Sequence, residues 1–362
     1  MFEYRFRRLR SLIGWLSLTA GISVCLLGLA AFAAPGFWAA DNMSFFLRQF
    51  LAAGLAGQFG GLLGFTVPHR RPGLYKSLLV LHTLLFAVLA GSTVWRTVEH
   101  TQPVAATRAG ETSLRVVATN LERLFLENRA LTDFLKQADP DIMVFEETAW
   151  WLQKHHWKKL GRPIGAIGKP PFPKNLVVGS LGDISVYSRF PILESRSIIV
   201  ENEPGQQRQD IREILVLKLD VEGRPVNLVA VHPSSPRSEV RWNRRQTYLK
   251  RLEAVVAELK AQGDAETIVI GDWNLSPWSA YFSNLFGKLN LGTAFPDGFP
   301  QTTRFFFDYR LHWVLGAVVD HVAITPGLRF SGVKLGPDIG SDHLPLIADI
   351  VLPGVAKMKS AN

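Results

Sequence analysis

Hydrophobic residues follow two regimes along this 362-residue chain. Ahead of about position 100 they form long stretches: residues 11–37 carry no charge, residues 45–67 carry only Arg48 at one edge, and residues 77–95 are again uncharged. Stretches of about 20 residues match a hydrocarbon core of roughly 30 Å, so the pattern predicts three transmembrane helices. Beyond position 112 the apolar runs shorten to strand length and end at polar side chains, at 115–120, 141–148, 228–231, 267–270, 318–324 and 344–350. Helical spacing appears at 124–137, stopping before Asp139-Pro140, and at 238–261, stopping at Gly263. The expected organisation is a membrane domain over 1–96, a linker over 97–112 rich in Ala, Thr and single charges, an α/β domain over 113–355 and a tail over 356–362. No internal repeat interrupts this order.

Charge adds orientation. Arg5, Arg7, Arg8 and Arg10 precede the first span and Arg70, Arg71 and Lys76 separate the second from the third, whereas Arg96 stands alone at the exit of the third. The positive-inside bias then places the N-terminus in the cytoplasm and everything after Trp95 outside, as a multi-pass protein of the inner (plasma) membrane. Ala31-Phe32-Ala33 has the small-x-small form of a signal cleavage site, a rival reading that two further spans disfavour. Gly57 with Gly61, and Gly60 with Gly64, are small-residue pairs at four-residue spacing, suited to close packing among the spans or to a homodimer. The single cysteine, Cys25, lies in the first span, so the outer domain can form no internal disulfide.

The net charge of +9 is mostly topological, because residues 1–106 hold nine basic and three acidic side chains. Local basicity remains at Arg237, Arg241, Arg244, Arg245, Lys250 and Arg251, on or beside the 238–261 helix. These serve either as a solvated face or as a phosphate-steering surface. Trp150, Trp151, His155, His156, Trp157, Lys158 and Lys159 form an aromatic and basic cluster suited to substrate or to a bilayer surface.

The strand ends carry the chemistry. Asn120 ends one strand, Glu146-Glu147 another, and His232 follows a third. Asp272-Trp273-Asn274 follows residues 267–270, Asp320 lies within 318–324, and Ser341-Asp342-His343 precedes the last run. Singly, each polar residue suits a turn or a cap. Together they supply hard oxygen ligands for a divalent cation and histidines with carboxylates beside them, an inventory for metal-assisted phosphoester hydrolysis. Glu146 and Glu147 are adjacent in a strand, so only one can point into a given site.

The order Asn120, Glu147, His232, Asp272-x-Asn274, Asp320, Ser341-Asp342-His343 resembles the endonuclease/exonuclease/phosphatase superfamily over about residues 113–352, and the 271–279 segment looks most like a bacterial membrane-anchored branch. The stretch 184–192 resembles a strand-and-turn signature of the same family. The resemblance implies a four-layer α/β sandwich, two packed mixed β-sheets flanked by helices. It implies Mg²⁺ or Mn²⁺ held by Glu147 with Asn120 and Asp342, and Asp272 orienting or deprotonating the attacking water. It also implies Asn274 on a phosphate oxygen, His343 on the phosphate with Asp320 fixing its ring, and His232 as proton donor; which histidine is acid and which is base stays open. Glu146 stands where many members carry Gln, and residues 302–307 depart from a simpler Thr-aromatic-Pro signature. The expected activity is that of an outward-facing phosphodiesterase acting on nucleic acid, or alternatively on a phospholipid or phosphoinositide headgroup; a catalytically inactive scaffold is the reading from outside the enzymes.

Overall fold

The computed structural model describes residues 2–122, 124, 128–148, 175–201, 210–263 and 265–352, so the 150–159 cluster and the 356–362 tail lie outside the described residues. The chain divides into two compact units, Met1–Glu99 with Ser276–Ser283, and His100–Leu275 with Asn284–Asn362.

The first unit is helical: α1 (Phe2–Ala33), a short α2 (Trp38–Met43), α3 (Leu47–Phe65) and α4 (Pro72–Val98). Glu3–Ala33 and Pro72–Val98 are long and apolar enough to cross a membrane. The remaining expected span is α3, a 19-residue helix whose glycines, Arg48, Gln49 and Gln58 dilute its hydropathy, so two helices rather than three have this length and composition among the described residues. Its glycines are spent inside the unit. A Cβ on Gly57 would lie 2.9 Å from the Gly21 Cα and one on Gly64 would lie 2.6 Å from the Gly14 Cα, so α3 and α1 meet backbone to backbone. The homodimer face expected from these pairs is therefore covered within the chain. Segment Ser276–Ser283 belongs to this unit through buried polar bonds: Ser276 Oγ donates to Ser44 O (2.9 Å), Trp278 Nε1 to Thr97 Oγ1 (2.9 Å) and Ser279 Oγ to Asp41 Oδ1 (2.6 Å).

The second unit holds two six-stranded mixed sheets. In one the order is β13 (Arg329–Leu335), β14 (Leu346–Leu352), β1 (Thr112–Asn120), β2 (Ile142–Glu146), β4 (Ile184–Ser188), β3 (Asn175–Val178). In the other it is β5 (Ile192–Val200), β6 (Arg212–Val221), β7 (Arg224–Val231), β8 (Glu266–Asp272), β12 (Asp320–Ile324), β9 (Gly292–Thr293). A two-stranded ribbon pairs β10 (Arg304–Phe305) with β11 (Gly316–Ala317). Alternation decides the layers. Leu114, Val116 and Ala118 of β1 and Ile142 and Val144 of β2 point into the core shared with Leu215, Leu217, Leu228, Ala230, Ile268 and Ile270. Val117, Met143 and Phe145 point the other way, onto Leu131, Phe134 and Leu135 of α5 (Arg129–Ala138). The α5 helix starts later than its spacing suggested, because Asn128 caps it by accepting from Leu131 N. On the second sheet, α6 (Glu239–Gln262) packs against β8 and β5, capped by Ser238 and stopped by left-handed Gly263. The last helix is α7 (Ala280–Leu289).

The site edge depends on one close approach. Gly271 has φ of +143°, and a Cβ there would lie 2.3 Å from Val231 O, its parallel partner on β7, and 2.8 Å from Glu146 Oε1 of the facing sheet. Gly271→Ala should therefore lower stability by about 2 kcal/mol or more, read as a fall in Tm of the full chain. A melting curve matching wild type would show that the edge accommodates a methyl group.

Candidate active site

The candidate side chains gather at one end of the two facing sheets because strand direction sends different termini there. β1 and β2 are parallel, as are β7 and β8, so Asn120, Glu146, His232 and Asp272 come from C-terminal ends. β12 is antiparallel to β8 with Asp320 opposite Asp272, and β14 is antiparallel to β1, so Asp320, Asp342 and His343 come from N-terminal starts. β4 is antiparallel to β2, which brings Asp183 to the same edge. Glu146 continues the inward alternation of Ile142 and Val144, with Gly271 of the facing sheet beside it. Glu147 leaves the strand in left-handed geometry (φ 59°) and turns into the site, as does Asn274 (φ 45°).

All eight residues singled out from the sequence meet in one network. Asn120 Nδ2 donates to Glu147 Oε1 (3.0 Å) and to Asp272 Oδ2 (3.3 Å), and Asn120 Oδ1 accepts from Glu122 N (2.9 Å). Asn274 donates from its backbone to Asp272 Oδ1 (2.8 Å), and its amide donates to Asp272 Oδ2 (3.0 Å) and Pro233 O (3.1 Å). His343 Nδ1 lies 2.9 Å from Asp320 Oδ2, and its Nε2 lies 3.7 Å from Asp272 Oδ2 and 3.8 Å from Asp342 Oδ1. His232 Nδ1 lies 2.7 Å from Asp183 Oδ2, and its Nε2 lies 3.7 Å from Asp272 Oδ2 and 3.8 Å from Glu147 Oε1. Two imidazoles, each bonded through Nδ1 to its own carboxylate, thus turn Nε2 toward the same oxygen.

Burial and charge set the protonation states. Burial alone would push His343 down, but the charges of Asp320 and Asp272 and the Asp320 hydrogen bond raise it to about 9. Burial likewise opposes the charged form of His232, and Asp183 outweighs it, so that pKa too is raised. Asp183 and Asp320 fall below the usual carboxylate value, because their imidazole partners outweigh burial. Asp272 is raised by burial and by Asp320. Glu146 is raised well above the usual value by burial first, then by Asp320, Asp272 and Asp183, which disfavours its ionised form.

Three contributors escaped the sequence reading. Asp183 stands at the start of its strand, and attention to strand ends passes it over; a polar residue opening an apolar run was the available signal. Arg304, within the stretch that departs from the family signature, donates through Nε (3.0 Å) and Nη2 (2.8 Å) to Asp342 Oδ2. Thr303 accepts at Oγ1 from the backbone N–H of Val319 (2.9 Å) and Asp320 (3.0 Å), fixing the start of β12. The basic helix reads differently in three dimensions. Arg245 is buried and donates to Asn274 O (2.8 Å), and Arg244 pairs with Asp210 (3.0 Å), which leaves Arg237, Arg241, Lys250 and Arg251 exposed.

The tightest group of ligand-capable atoms is Asp272, Asp320 and His343, within 4.8 Å of one another. The hydrogen bond of His343 to Asp320 accounts for that closeness, and a raised imidazole pKa opposes metal ligation there. Glu147 suits a cation better: its carboxylate is 43% exposed and bonds an amide rather than a positive charge. Asp342 Oδ1 lies off the Arg304 contact, so oxygen donors fitting Mg²⁺ or Mn²⁺ are present in Glu147 and Asp342.

Asp272→Asn and His343→Ala should each lower kcat on the order of a hundredfold. Asp320→Asn should lower it too, yet add little to His343→Ala, because the pair acts as one unit; full additivity in that double variant would separate Asp320 from His343. By NMR, His343 should titrate near 9, well above the ordinary 6.5, with Asp320→Asn bringing the midpoint down. Since the folded value is the higher one, the charged imidazole stabilises the fold below about 6.5 and this contribution is lost as pH rises through about 9. A midpoint unmoved in Asp320→Asn would contradict the assignment.

Comparison with solved structures returns zebrafish (D. rerio) TDP2 complexed with single-strand DNA product, at 20% identity and TM-score 0.48, covering 66% of this chain and 99% of that chain. Sphingomyelinase C from Streptomyces griseocarneus matches at 18% identity and TM-score 0.44, with 66% and 99% coverage. A mannosyl-6-phosphatase from Bacteroides thetaiotaomicron matches at 14% identity and TM-score 0.46, also with 66% and 99% coverage. No curated protein matches the sequence. The assignment rests on the family sequence profile, which matches residues 118–343 and so takes in all eight site residues: the chain belongs to the Endonuclease/Exonuclease/phosphatase family.

Proposed function

We propose that the protein is a membrane-anchored, outward-facing, divalent-metal-dependent phosphodiesterase, with nucleic acid as the leading substrate. The observation that carries the chemistry is the pair of Asp-bonded imidazoles aimed at Asp272 Oδ2. Asp272, steered by Asn120 and Asn274, takes a proton from the attacking water. One imidazole Nε2 protonates the leaving oxygen, and its aspartate stabilises the charge it carries. Glu147 and Asp342 would hold the divalent cation, which would neutralise charge on the phosphorus oxygens. Asn274 serves as a positioning group for Asp272, since its amide hydrogens already meet protein acceptors. A phospholipid headgroup is the second reading, favoured by the loop between β10 and β11, where Phe307 is 95% and Trp313 68% exposed.

Full-length protein should hydrolyse a phosphodiester only with Mg²⁺ or Mn²⁺, and a panel of duplex DNA, single-stranded DNA, RNA, sphingomyelin and phosphoinositides should separate the two substrates. Glu147→Gln should lose most activity and bind the cation more weakly while the fold persists. An unchanged Mg²⁺ titration would remove Glu147 from the site.

Sidedness has its own test. A reporter that works only outside the cytoplasm, fused after Asn362, should be active, because with α3 taken as a third crossing seven flanking cations lie on one side of the spans against one on the other. Activity there of a reporter that works only in the cytoplasm would reverse the orientation.

A further inference from the structure

Arg304 is a cation built into the rim of the site. The backbone holds it rigidly: it forms a β-bridge with His343, and Phe305 N donates to Asp342 O (2.9 Å) while Leu344 N donates to Thr303 O (2.7 Å). Its side chain is only 15% exposed, so the guanidinium is confined against Asp342. Both Nε and Nη2 converge on Asp342 Oδ2, and Nη1 makes no hydrogen bond among the described residues. A planar fork with one edge fixed and one terminal nitrogen still to be satisfied is suited to a phosphate oxygen.

The surrounding carboxylates show what this cation does to the metal requirement. Asp183 is bonded to His232, Asp320 to His343 and Asp342 to Arg304. Glu147 and Asp272 have only amide donors at hydrogen-bond distance. With Asp272 given to the attacking water, Glu147 and the free Oδ1 of Asp342 are left to hold a divalent ion, enough for one. Two-metal phosphoesterase sites place a second ion about 4 Å from the first to hold the far side of the phosphate. Here Asp342 can offer only Oδ1 to the ion it shares with Glu147, because its Oδ2 already carries the guanidinium.

We propose that Arg304 binds a non-bridging oxygen of the scissile phosphate and that its charge takes the part a second metal ion would otherwise play, so that the site works with one divalent cation. This rests on the phosphoesterase reading above and specifies how that site recognises its substrate. It also gives the departure of residues 302–307 from the family signature a function.

The test uses the full chain in detergent micelles. Mn²⁺ binding followed by electron paramagnetic resonance should saturate at one equivalent per chain; two equivalents of similar affinity would overturn the proposal, and this measurement depends on no variant folding. With Mn²⁺ present, calorimetry with inorganic phosphate as probe should show at least tenfold weaker binding to Arg304→Gln, with Arg304→Lys recovering part of the loss and circular dichroism unchanged. In kinetics Arg304→Gln should raise KM as well as lower kcat, whereas a side chain that only steadied Asp342 would leave phosphate affinity intact. Phosphate affinity equal to wild type in Arg304→Gln overturns the proposal alone. Wild-type protein that binds neither Mn²⁺ nor phosphate overturns the phosphoesterase reading beneath it.

Discussion

Asp272 is 1% exposed, and the rest of the site edge is arranged around the cost of that burial. A carboxylate withdrawn from water must have its oxygens occupied, and this one receives donors from Asn120 and from both the backbone and the amide of Asn274. Those donors fix its direction and leave the two imidazole Nε2 atoms 3.7 Å away, a separation open to a water or a phosphate oxygen rather than closed by a direct bond. The imidazoles hold position because Asp183 and Asp320 grip them from behind. Remove either aspartate and the ring loses both its orientation and the charge that raises its pKa.

The strand pairing explains how such a cluster arises from short, scattered motifs. Parallel pairs deliver C-terminal ends, and antiparallel neighbours deliver N-terminal starts to the same edge. That is why attention to polar side chains closing apolar runs located Asn120, Glu147 and Asp272, and why Asp183, which opens a run, escaped it. Arg304 was illegible for another reason: its partner lies 38 positions away, and a single β-bridge between Arg304 and His343 aligns them. The turn of Glu147 into the site was hidden as well, because adjacent strand residues face opposite sides and only a left-handed φ chooses between them. The basic helix marks a limit of counting charge: Arg245 and Lys250 look equivalent in sequence, yet one is buried on the Asn274 carbonyl and the other is exposed.

In the helical unit, composition read in windows and composition read on faces diverge. α3 reads as a span because Arg48 at its edge is its only charge, but five glycines give it little apolar bulk. Those glycines let α1 and α3 approach until backbone atoms touch, a form of packing that gains from dispersion where side-chain burial cannot contribute. The same stripe could have served a second copy of the chain. Its burial against Gly14, Ser17 and Gly21 settles that use in favour of the protein's own first helix.

Glu146 shows how a departure from the family pattern is absorbed. It lies on the inter-sheet face by the alternation of β2, with both carboxylate oxygens unpartnered among the described residues and Gly271 beside it. An ionised carboxylate there would add charge to an edge already crowded with Asp183, Asp272 and Asp320, and burial together with those charges opposes its ionisation. A neutral carboxylic acid has nearly the shape of a glutamine amide, so the residue that many relatives carry and the one found here present similar volumes to the facing sheet. The difference is confined to ionisation. Any influence that favours the charged form of Glu146 works against its own burial, so the electrostatics of the site oppose the one property in which the two side chains differ.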